Sequence, residues 1–319
     1  MKFCIVGPGE MPIPPTGWGA VEILIDDYRK TLISMCHEVE IINTKDHNLI
    51  ISMVNASDAD FFHFQYDEWA HLAPYIKKTN IAVTSHYGYL EQTHRWDAGY
   101  RNIFWAFVNS GWNIFCLSPG IKEVYRKSGV PEDRLHVIPN GVRTDLFRYD
   151  TTCARPEDSV YLAKIDFRKR QIKFQDIENL YFVGNCIEPQ FDMKSSRYLG
   201  EWSKQELYDG LTNFANLVLL SDGEAHPLVC LEAMSAGLGL VISQFSAANL
   251  DTSLPFIDVI PESKIDDNDY IKDVIEKNRE TSVKMRSEIR RYAETFDWKT
   301  MVGQIYLKNV KKVCDKENT

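Results

Sequence analysis

The chain has no C-x-x-C pair, no apolar run approaching the ~18 residues that a membrane span needs, and too few cations to balance its acids. Its seven cysteines, at 4, 36, 116, 153, 186, 230 and 314, are odd in number and scattered. That pattern excludes a disulfide framework, argues against a zinc site and predicts free thiols in a reducing compartment. Lys and Arg number 36 against 45 Asp and Glu, a formal charge of -9. Such a balance excludes a nucleic-acid binder held by phosphate neutralisation and gives no general attraction to anionic lipid, so any bound phosphate must meet a local basic cluster. A dinucleotide fingerprint is missing too: Gly7-Pro8-Gly9 follows a first strand, but Pro12 stands where the third glycine belongs. The apolar run before Gly7 is too short for a signal peptide, which predicts a cytoplasmic protein without a transmembrane segment, peripheral membrane contact being left open. There are no internal repeats and no D-x-D pair at a strand's end.

At 319 residues and 44% apolar content the chain suits two domains of ~150 residues each. Short apolar runs at Phe3 to Val6, His37 to Ile42, Asp60 to Phe64, Ile81 to Ser85 and Asn113 to Leu117 recur with helical segments between them. This predicts an α/β fold with a doubly wound parallel sheet. After the polar connector Tyr149 to Ser159, strands are expected at Val160 to Ala163, Asn179 to Gly184, Arg197 to Gly200, Leu217 to Leu220 and Leu238 to Ser243. Only Gln171 to Glu178 separates the loop Lys164 to Arg170 from the strand at Asn179, little room for a crossover helix of ~10 residues, so the second domain reads as trimmed. Helices are expected from Asp266 to Lys277, Glu280 to Glu294 and Trp298 to Lys312.

Four stretches carry candidate chemistry. In Ser221-Asp222-Gly223-Glu224-Ala225-His226-Pro227, a strand is broken and a helix begins near Pro227, whose missing N–H costs nothing in a first turn. Glu224 then lies in the loop and Glu232 more than one turn into the helix; the two carboxylates either face one crevice or are solvated charges. Gly17 and Gly19 before a helix either receive phosphate oxygens or let a turn pack on Trp18. His86 follows a strand directly and is either a structural hydrogen-bonder or a reacting group. Lys164-Ile165-Asp166-Phe167-Arg168-Lys169-Arg170 is the concentrated basic run, read as a solvated face or a phosphate clamp. The aromatics from Trp96 to Trp112 read mainly as core, with a sugar-stacking wall as the alternative.

The run L-S-D-G-E-A-H-P-L-V-C-L-E-A-M-S-A-G resembles the nucleotide-sugar motif of retaining family 4 glycosyltransferases with the GT-B fold. P-P-T-G-W-G-A-V-E, V-I-P-N-G-V-R-T-D-L-F and the basic run are similar to that family's other motifs. Ala225-His226-Pro227 replaces a glycine-aromatic-glycine turn, and Ala163-Lys164 replaces glycine-arginine. The resemblance implies two Rossmann-like domains facing across a cleft: 1–150 on the acceptor side, 151–296 binding nucleotide sugar, and 297–319 as a helix crossing back. It implies sugar transfer with retention, no metal and no cofactor, from a UDP- or GDP-linked donor to a saccharide or other hydroxyl acceptor, with no nucleic-acid partner. His86 and Glu224 are the implied catalytic residues, and Gly19, Lys164, Lys169, Leu228, Val229 and Glu232 the implied donor contacts. A nucleotide-sugar epimerase and a binding-only pseudoenzyme are the alternatives.

Overall fold

The computed structural model describes residues 1–17 and 19–315; Trp18, invoked above as a packing partner, lies outside the described residues. The chain divides into two units, Met1–Asn140 with Trp298–Thr319, and Gly141–Asp297. The division falls after Asn140 rather than at residue 150, because Val142 already belongs to the second unit: its N–H donates to Phe296 O at 2.9 Å and it bridges Asp297.

In the first unit β1 (Lys2–Val6), α1 (Ala20–Ser34), β2 (Glu38–Ile42), α2 (His47–Ala56), β3 (Phe61–Phe64), β4 (Ile81–Val83), α3 (Ala98–Asn109), β5 (Asn113–Cys116), α4 (Pro119–Lys127) and β6 (Leu135–Val137) alternate. All strand pairs are parallel, in the order β2-β1-β3-β4-β5-β6. Residues of β3 and β4 are buried throughout, as expected of strands covered on both faces. The segment from Trp298 to Asp315 packs on this unit, with the Trp298 ring 4.7 Å from Tyr28 and the Tyr306 ring 5.5 Å from His63. The chain leaves β1 toward β2 and β3 on opposite sides, so the strand order reverses between β1 and β3, where crevices open at the carboxyl edge.

The second unit holds β7 (Arg155–Leu162), β8 (Leu180–Val183), α5 (Lys204–Gly210), β9 (Phe214–Leu219), α6 (Leu228–Ser235), β10 (Gly239–Ser243), β11 (Ile257–Ile260), α7 (Asn268–Lys284) and α8 (Arg286–Glu294). Its parallel order is β11-β10-β9-β7-β8, reversing between β7 and β9. Between β7 and β8 only the 3₁₀ turn Gln171–Lys173 forms, the short crossover read from the sequence. Two expectations fail. Arg197 to Gly200 is not a strand: Tyr198 makes one isolated bridge to Phe182, and Gly200 turns away at φ +78°. The helix break falls at Met285, not before Glu280, since Met285 closes α7 by donating to Thr281 O at 3.1 Å.

Candidate active site

In the second unit the reversal of strand order brings the loops after β7 and β9 side by side. They are tied through Tyr161, a buried ring on β7 whose hydroxyl donates to Lys169 O and accepts from Leu220 N–H at 2.8 Å. Asp222 N–H donates to Arg168 O at 3.0 Å, a second tie. This scaffold interleaves acids and bases. Lys169 Nζ pairs with Glu224 Oε1, and Arg168 sits 3.7 Å from Glu224 Oε2 while donating to Gly223 O at 2.7 Å. Arg170 makes a fork on Glu262, with nitrogens at 2.9 and 2.6 Å from its two oxygens, and reaches Asp222 at 4.0 Å. Glu262 follows β11, so this pair spans the carboxyl edge past β9 and β10.

The structure therefore brings Lys169 and Glu224 into direct contact. Lys164 is exposed and has no ion-pair partner among the described residues, while its carbonyl accepts from buried Gln171 at 2.9 Å. Helix α6 starts after Pro227, which supplies no side-chain cap, and leaves the N–H groups of its first turn directed at the same edge. Leu228, Val229 and Glu232 are its partly exposed positions, whereas Cys230, Leu231, Ala233 and Met234 are buried. Glu232 thus stands one turn above Leu228 on the open stripe.

In the first unit His86 lies three residues past β4, partly buried, with Nε2 2.9 Å from Gln65 Oε1. Burial pushes its pKa from 6.5 down to about 4, so the ring is neutral at neutral pH. Beside it Ser85 Oγ donates to Asp67 Oδ2 at 2.7 Å, and burial raises the Asp67 pKa. Tyr100 is buried and stacks on Tyr87 at 3.5 Å, so this part of the aromatic stretch packs as core. Gly19 is the residue before α1; a Cβ there would come within 2.5 Å of Glu22 Oε2, the mobile end of a side chain, whereas one at Gly17 would meet nothing within 4 Å.

Sequence reasoning missed Arg168, Arg170, Asp222 and Glu262 as members of the cluster. Arg168 and Arg170 were visible in the basic run, but Glu262 is brought in by β11, a strand not read from the sequence.

Residues 44–146 match the model of Glycosyltransferase Family 4. No curated protein matches the chain. Among solved structures, sucrose-phosphate synthase from Thermosynechococcus elongatus is similar with a TM-score of 0.75 at 14% identity, over 97% of this chain and 98% of that one. HepE of Anabaena, solved in complex with UDP and glucose, gives a TM-score of 0.71 at 14% identity, over 95% of this chain and 98% of that one. The lipopolysaccharide outer core galactosyltransferase WaaB in its apo form gives 0.70 at 16% identity, over 99% and 100%. The fold shared along nearly the whole chain is the GT-B fold of glycosyltransferases. Residues 44–146 are thus similar to that family, and the fold of the chain is of the GT-B type. Among the described residues no helix is long and apolar enough to cross a membrane, and no three His, Cys, Asp or Glu side chains group as metal ligands.

Proposed function

We propose that the protein transfers a sugar from a UDP- or GDP-linked donor to a hydroxyl acceptor with retention of configuration, using side-chain cations rather than a metal to meet the departing diphosphate. The observation that carries this reading is the acid-base cluster at the β7/β9 reversal, where Lys169 and Arg168 stand against Glu224 beside the start of α6 and could turn to an arriving phosphate. That is the chemistry a leaving diphosphate needs. HepE, similar in fold, has been solved with UDP and with UDP-glucose, which supports a uridine donor. In the transfer the bond from the anomeric carbon to the phosphate oxygen breaks, the bond to the acceptor oxygen forms on the same face, and the acceptor proton passes to the departing phosphate. Glu224 meets the sugar ring, Glu232 the ribose hydroxyls, and His86 the transferring sugar. All seven cysteines are free thiols, in keeping with the reducing cytoplasm.

Calorimetry against UDP, GDP and the matching nucleosides tests the phosphate assignment. Lys169→Ala should lower diphosphate affinity by about 1–3 kcal/mol, toward the upper end because it also leaves the Glu224 carboxylate facing the phosphate uncompensated. Lys164→Ala, on an exposed side chain, should cost less. Nucleoside affinity should stay put for both variants; equal losses for nucleoside and diphosphate would remove the clamp assignment. Glu232→Ala should weaken binding of UDP and of uridine alike, because the ribose is common to both, and an unchanged affinity for both would sink the ribose contact.

A further inference from the structure

Behind His86 runs a chain of polar side chains that nothing in the transfer itself uses. Thr84, His63 and Gln65 are almost wholly buried, and Gln65 is held in place by its own N–H, which donates to Val6 O at 2.9 Å. Gln65 therefore has both ends of its amide committed. Its Nε2 lies 3.2 Å from His63 Nδ1, and its Oε1 lies 2.9 Å from His86 Nε2. An amide nitrogen only donates and an amide oxygen only accepts, so with the Gln65 amide in this orientation the two contacts assign the protons on both imidazoles.

His63 Nδ1 accepts from Gln65, and the Tyr306 hydroxyl lies 3.2 Å from the same nitrogen. The His63 proton is then on Nε2, where it donates to Thr84 Oγ1 at 2.8 Å. Because Gln65 Oε1 can only accept, His86 carries its proton on Nε2 and keeps an open lone pair on Nδ1. Burial keeps both rings neutral, with His63 pushed down to about 3 and His86 to about 4.

We propose that Gln65 is a positioning residue that locks His86 in the Nε2–H tautomer, so that His86 meets its sugar as a hydrogen-bond acceptor through Nδ1 and not as a donor. The ligand group this selects is a hydroxyl, which can give a proton to Nδ1; a ring oxygen or phosphate oxygen would find no donor there. A neutral acceptor also avoids placing a cation beside a sugar that gains positive charge as its bond to phosphate loosens. The tautomer assignment depends only on the geometry above, whereas its use in transfer rests on the reading that His86 faces the sugar.

The test is ¹⁵N NMR of the full chain labelled at histidine, in which two-bond couplings distinguish the two neutral tautomers. His86→Ala identifies the His86 signals by their loss. In the wild-type protein at neutral pH His86 should be the Nε2–H form; an Nδ1–H form or a fast mixture overturns the proposal without any variant having to fold. Gln65→Leu, which removes the acceptor, should turn His86 into a mixture of tautomers and lower kcat about 10-fold, the scale of one lost hydrogen bond. Donor KM should hold. Gln65→Glu keeps an acceptor oxygen at the same reach and should return the proton to Nε2, while its carboxylate raises the His86 pKa. A Leu variant that retained the wild-type tautomer, or lost kcat with the tautomer unchanged, would overturn the role of Gln65. Tautomers as expected, together with full turnover by His86→Ala, would leave the assignment standing and remove His86 from the reaction.

Discussion

Arg286→Ala should lower the melting temperature of the second unit more than any substitution at the candidate site. Arg286 is 2% exposed and opens α8, where its guanidinium donates to Asp150 O at 2.8 Å, Phe214 O at 3.2 Å, Thr212 O and Oγ1 at 2.7 Å, and Ala236 O at 3.1 Å. These acceptors come from the connector before β7, the turn leading into β9 and the end of α6, so one side chain joins three segments that the sheet hydrogen bonds do not. Truncation leaves several buried oxygens without donors, at about 1–3 kcal/mol each before water enters, and a net loss of about 3 kcal/mol or more is expected. At about 2–4 °C per kcal/mol for a domain of this size, calorimetry should register a fall of roughly 6–12 °C. Arg286→Lys keeps the charge but not the fork and should fall between. A melting temperature for Arg286→Ala within the error of the wild-type would show that these bonds are replaced by water at no cost.

His86→Ala should reduce kcat about 100-fold, the scale of losing one preorganised hydrogen bond that strengthens in the transition state. Donor affinity should change far less, because an interaction that strengthens only in the transition state shows in the rate. The pH profile separates this from a generic loss. Burial sets the His86 pKa at about 4, below the ordinary 6.5, so the wild-type rate should show no histidine step near 6.5 from this ring. It should fall only as the pH drops through about 4, where protonation of Nδ1 removes the lone pair and adds a charge. Normal turnover by His86→Ala on a verified acceptor would return His86 to a structural hydrogen-bonder beside Gln65.

The parallel sheets were legible because strands such as β1, β9 and β10 are buried on both faces and read as continuous apolar runs. β7 was read too short: its first half is the polar Arg155-Pro156-Glu157-Asp158, and the pairing with β9 shifts register between Arg155 and Ser159. Period and polarity both hide such a segment. At the candidate site, Lys169 and Glu224 were each legible within their own motif, but their contact spans 55 positions and depends on which strands are neighbours. The same limit hid the Arg170 to Glu262 fork, 92 positions apart. Gln65 left no mark at all in the sequence, since a lone amide after a strand carries no pattern; only the pairing of β3 with β1 and β4 sets it between two imidazoles.

The first unit is interrupted, and that fixes the order in which the protein is completed during its synthesis. Residues 141–297 are contiguous and contain everything their own sheet needs. Residues 1–140 emerge earlier but lack the Trp298 and Tyr306 rings, which fill the space against Tyr28, Phe3, Phe61 and His63. Domains ordinarily fold in the order they leave the ribosome. Here the half made first must wait, with part of its aromatic core uncovered, until the half made second has already been translated. The Thr84, His63 and Gln65 relay behind His86 gains its Tyr306 partner only once that last segment has been made.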